Sequence, residues 1–99
     1  MNNEEVEKIL DTKGNPRVTK KSIEGKIERI EYQRFGIMTI CFVTMRNGFI
    51  STGVTAPASP DNFDKEIGEH YAYENAFRPL WQLEGYLLRE KLAGLAKDA

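Results

Sequence analysis

Residues 37–55 read IMTICFVTMRNGFISTGVT, two apolar runs joined through Asn47-Gly48. In the first run Met38, Ile40 and Phe42 share one face of an extended chain, and Ile37, Cys41, Val43 and Met45 the other. A strand apolar on both faces belongs in the middle of a sheet. Asn-Gly between two such runs is the strongest short-range hairpin signal, because both central residues of a type I′ turn need positive φ. A two-residue turn here pairs Arg46 with Phe49, Thr44 with Ser51 and Phe42 with Gly53, with a third strand over 49–55. Gly53 opposite Phe42 would leave room for an aromatic ring or another chain's side chain.

Working toward the N-terminus, Gly36 allows a turn and residues 27–35 give a first strand, with Ile30 and Tyr32 on one side. The sheet is therefore expected to be a three-stranded antiparallel meander over about 27–55. Thr19 reads as an N-cap, with Val18 before it and Ile23 at the staple position, for a short helix expected to run through Ile27. Gly14, Asn15 and Pro16 mark a turn. Before it, Val6, Ile9 and Leu10 stand at helical spacing in a short, fraying helix. This divides the chain into a flexible arm over 1–16 and a single α+β domain over 17–99.

Toward the C-terminus, residues 56–60 (APASP) end the sheet, and Ser59-Pro60 fits an N-cap followed by Pro at the first helical position. The helix that follows carries Phe63, Ile67 and Tyr71 on one stripe. Pro79 cannot join its hydrogen-bond ladder, so two C-terminal helices kinked at Pro79 are expected. The second places Leu80, Leu83 and Leu87 on one stripe, and Trp81, Leu88, Leu92 and Leu95 on a neighbouring one. Two apolar stripes on one helix, like the two apolar faces of the central strand, ask for two packing partners and point to self-association.

Composition narrows the functional classes. A net charge of -1 argues against general DNA or RNA binding. A local excess of six basic over three acidic residues from Arg17 to Arg34 suits either a solvated surface or a small phosphate-bearing ligand. The acidic N-terminus has no apolar core, and no apolar run approaches the roughly 20 residues of a membrane span. The expected setting is soluble and intracellular. One Cys and one His cannot build a zinc site or a disulfide. His70 lacks the neighbours of a catalytic triad, and no P-loop, HExxH, EF-hand or dinucleotide fingerprint occurs. The expectation is a non-enzyme without metal or cofactor.

Residues 62–92 concentrate what chemistry remains. Asn75, Arg78, Glu84, Tyr71 and Tyr86 are interleaved with apolar positions, which means either a buried hydrogen-bond network or a ligand pocket. A nucleotide-like ligand needs an aromatic face, cations for phosphate and an amide for polar edges. Phe63, Tyr71 or Phe35 could stack, Arg29, Arg78 and Arg89 could meet phosphate, and Asn75 could both donate and accept. Phe63 and Tyr71 read more readily as core than as a stacking platform, and Arg78 just before Pro79 fits a helix cap. Asn75 is harder to explain, since Asn is a poor helix-interior residue and needs a specific partner.

The order PRVTKKSIEGKIERIEY from Pro16, the NGF hairpin (Asn47 to Phe49), the Asn62–Gly68 segment, AYENA (Ala72 to Ala76) and the Leu80–Leu92 pattern resembles a family of small phage proteins. That family is named for gene product 49 of one bacteriophage and gene 66 of another. The resemblance spans about residues 17–92. It implies a phage or prophage origin and action in the host bacterial cytoplasm, and carries no biochemical activity. More loosely, a small antiparallel sheet followed by two helices is similar to the Thoeris anti-defence sponges of phages. That likeness implies homo-oligomers built on dimers, hexamers among them, that sequester cyclic ADP-ribose-type or cyclic oligonucleotide signals in pockets between protomers. A phage accessory protein that binds a host protein, and a weak nucleic-acid binder using residues 17–34, are the other readings.

Overall fold

A computed structural model describes residues 1–94. The elements run α1 (Asn3–Lys13), α2 (Lys20–Glu24), β1 (Ile27–Phe35), β2 (Met38–Met45), β3 (Ile50–Thr55) and α3 (Lys65–Leu92), with a 3-10 turn at Pro60–Asn62. The sheet is antiparallel in the order β1-β2-β3, the expected meander with β2 central. Leu95 of the expected second stripe lies outside the described residues.

Both N-terminal helices are held by reciprocal caps. Asn2 accepts from the amide of Glu5 (2.8 Å), and Thr19 and Ser22 exchange two hydrogen bonds of 2.9 Å. α1 runs longer than the expected short helix, to a left-handed Gly14 at φ 67°, yet it buries no residue. Arg17 ties it back through Glu7 (2.8 Å) and Asp11 (2.6 Å). α2 ends at Glu24 instead of reaching Ile27, and its fully buried Ile23 joins the core.

The hairpin differs from the expected two-residue turn. The amide of Gly48 donates to Met45 O (2.9 Å) and that of Met45 to Phe49 O (2.8 Å), closing a three-residue loop of Arg46, Asn47 and Gly48. Gly48 supplies the left-handed position at φ 92°, and Asn47 Oδ1 accepts from the amide of Phe49 (2.9 Å). This is the turn-plus-bulge solution for a hairpin. The extra loop residue slips the register by one, pairing Thr44 with Ile50, Val43 with Ser51 and Cys41 with Gly53. A one-residue slip turns every side chain of the strand over. Ser51 and Gly53 thus join Cys41, Val43 and Met45 on the inner face, and Gly53 does not face Phe42.

α3 packs on that inner face over β2 and β3. Asp64, not Ser59, caps it, accepting from the amide of Ile67 (3.1 Å), while Ser59-Pro60 opens the preceding 3-10 turn. The expected Phe63-Ile67-Tyr71 stripe is not the packing face: Ile67 and Tyr71 are about half exposed. The face that packs is Gly68, Ala72, Ala76 and Leu80, flanked by Tyr73 and Phe77. Small residues let the helix axis come close to the sheet, and the hydroxyl of Ser51 donates to the carbonyl of Ala76 at 2.6 Å. Nor are there two C-terminal helices, since α3 is one element through Pro79. Pro79 is on the exposed side, where its ring meets no core and water can replace the amide it lacks.

Cys41 is fully buried beneath α3. Burial pushes its thiol above its ordinary 9.0, and burial likewise raises the phenols of Tyr32 and Tyr73 above 10.0. For an acidic group whose folded pKa is raised, the unfolded chain ionises first. Stability is then full below the unfolded pKa and lost as pH rises. Thermal melts are therefore expected to hold level up to about pH 9 and to fall toward pH 11; a flat profile over that interval would count against this burial.

Candidate functional site

The sequence-derived ligand residues do not converge. Asn75 is a bracket between helix and sheet: its Nδ2 donates to Val54 O (3.0 Å), and its Oδ1 accepts from Arg78 at 3.3 Å. This satisfies a carbonyl of edge strand β3 and accounts for Asn inside a helix. Arg29 is exposed on β1, its guanidinium held by Glu31 (2.8 Å) and Glu28 (3.1 Å), and those carboxylates raise its pKa. Arg89 lies 14 residues beyond Asn75 on α3, about 21 Å along the axis. Phe63 and Tyr71 do share a shallow hollow of about 240 Å³ at the N-terminal end of α3. The face of Phe63 is already taken by Arg34, whose guanidinium carbon stands 3.8 Å from the ring centre.

The more favourable site lies at the opposite end of α3, against the β2–β3 hairpin. A cleft of about 490 Å³ has an apolar floor of Met45, Phe49, Leu80, Leu83 and Leu87. Its rim brings in Lys26, Arg46 and Lys91 as cations, with Asn47 and Glu84. That volume is in the usual range for small-molecule pockets, roughly 300–1,000 Å³. The cleft has local causes. The three-residue hairpin loop lifts Arg46 and Asn47 over the end of the sheet. The amide of Arg46 donates to Lys26 O (2.9 Å), which fastens the loop to the start of β1. Lys26 Nζ pairs with the Glu84 carboxylate, tying β1 to the second half of α3. Among the described residues Arg46 and Lys91 make no ion pair, which leaves two cations facing an apolar, half-open space.

This site was not legible as a unit in the sequence. Lys26 belonged to the basic segment, and Leu80, Leu83 and Leu87 to one apolar stripe. Only the fold brings them beside the hairpin tip. The one usable signal was that α3 carries more apolar surface than a single sheet face can cover.

Cys41 is buried under α3, and His70 is exposed beside Glu74 (3.2 Å). Fold and site together define a small α+β protein in which one long helix crosses a three-stranded antiparallel sheet, leaving an open cationic cleft at one end. The chain belongs to the phage protein family named for N4 Gp49 and phage Sf6 gene 66, whose family model matches residues 18–92. No curated protein and no solved structure matches it. No described helix is long and apolar enough to cross a membrane.

Proposed function

We propose that this phage protein is a non-enzymatic sponge that binds a nucleotide immune signal of the host, of the cyclic ADP-ribose or cyclic oligonucleotide type, and withholds it from its effector. One observation carries the reading: three cations, an amide and a half-exposed aromatic ring, Phe49, surround one apolar cleft. Those are the groups that meet phosphates, polar base edges and a base face. Arg46 and Lys91 would meet the phosphates, Phe49 the base, and Asn47 its polar edge. Sequestration needs affinity and no turnover, so affinity is the property to test.

Calorimetry of the full chain against cyclic dinucleotides, cyclic trinucleotides and cyclic ADP-ribose isomers tests this. Binding of one ligand per chain is expected. Each of Arg46→Glu and Lys91→Glu should weaken it at least about tenfold, the value of one charge-assisted hydrogen bond. Absence of heat with every member of the panel sinks the proposal.

A second reading is capture of a host protein. It is favoured by the exposed side of α3, where Trp81 is 39 % and Tyr86 70 % exposed. Recovery of one stoichiometric host partner, lost on Trp81→Ala, would support it over the sponge.

A further inference from the structure

We infer that the outer face of the sheet, the one turned away from α3, is the contact surface of a homodimer. The register puts Phe35 beside Met38, Ile40 beside Val54, and Thr44 beside Ile50 on that face. Phe35 is 78 %, Ile50 53 % and Val54 47 % exposed. Met38, Ile40 and Phe42 are partly exposed between them. An antiparallel sheet with one packed face normally shows polar residues on the other. Here six large apolar side chains form one contiguous patch, and α3, the helix that packs on the sheet, lies on the opposite side.

The occupant is a second copy of this chain. The charged groups at the edge of the face, Arg29 with Glu31 and Glu28, are already paired among themselves. Such a face meets its own copy without like-charge conflict and offers a charged partner nothing to select. Strands of nine, eight and six residues make a face about 14 Å wide and about 26 Å long at the central strand. Two copies packed face to face would bury roughly 700 Å² in outline, and more as accessible surface, which approaches the size of a weak specific interface. The protomer also has reason to associate. Its buried hydrophobic core among the described residues comprises Ile23, Cys41, Val43, Met45, Ala72, Ala76, Phe77 and Leu80, three of them residues with little side-chain volume. A small chain of this kind gains needed burial by self-association. The cleft lies on the helix side, so this dimer leaves both clefts open and complete within each protomer.

Sedimentation of the full chain over a wide concentration range tests the interface, with circular dichroism as the check on folding. A dimer is expected. Ile50→Lys with Val54→Lys, at positions about half exposed in the protomer, should raise its dissociation constant about a hundredfold or more by burying four ammonium groups per dimer. A monomer at every concentration overturns the inference, and so does a dimer that survives the folded double variant. Calorimetry of the same variant with the panel of cyclic dinucleotides, cyclic trinucleotides and cyclic ADP-ribose isomers separates this interface from the cleft, because the double variant should give the same heats as the parent.

Discussion

Gly53→Ala is expected to leave the chain largely unable to hold its helix on its sheet. A Cβ at Gly53 would stand 2.2 Å from the carbonyl oxygen of Ala72 and 2.2 Å from the amide nitrogen of Ala76. Both are backbone atoms in the middle of α3, so no rotamer change can make room. The helix must lift from β3, and with it go the Ser51–Ala76 and Asn75–Val54 hydrogen bonds. Overpacking against atoms that can move costs about 1–3 kcal/mol, and this contact belongs at or beyond the upper end. A chain of this length has about 5–15 kcal/mol in total, and each kcal/mol shifts the melting temperature by about 4–8 °C. A drop of about 15 °C or more is expected in thermal melts. Gly85→Ala provides the control: nothing lies within 4 Å of its Cβ position, and replacing a helical Gly should stabilise by about 0.5–1 kcal/mol. If both variants melt alike, the close seating of α3 on β3 is wrong.

Leu80→Ala should have the next largest effect. Leu80 is 2 % exposed, at the point where core and cleft floor meet. Truncating a buried Leu costs about 2–5 kcal/mol through lost transfer energy and the cavity left behind. Because the cleft opens on one side of this residue, water can enter the vacated space, and a value near 3 kcal/mol is expected. Leu83→Ala, on the same cleft but 46 % exposed, should cost less than about 1 kcal/mol. Denaturant titration of the two variants distinguishes them. Equal losses would mean that the cleft floor is as closed as the core.

Much of the architecture was legible because it rests on local patterns. The apolar run of β2 marked a central strand, Gly36 and Asn47-Gly48 marked the turns around it, and Thr19 marked the start of α2. The candidate site was far less legible. Asn75 was correctly marked as needing a partner, but the partner is a carbonyl of β3, 21 residues away in sequence. Arg29 looked available and is occupied by neighbouring carboxylates. The cleft residues Lys26, Arg46 and Lys91 carried no common pattern, since their proximity arises from the hairpin loop and the path of α3.

By itself, then, the sequence determined the three strands, their order, the position of the central strand and the caps that start α2, because each is set by neighbours along the chain. Tertiary structure decided the faces. A one-residue difference in the hairpin loop turned β3 over and put Gly53 and Ser51 under the helix. Close approach at those small residues then selected Gly68, Ala72 and Ala76 as the packing stripe, against the larger Ile67 and Tyr71. With Pro79 on the exposed side, α3 could continue through it. Which side chains a helix or strand buries depends on the surface it meets, and that surface exists only once the elements have come together.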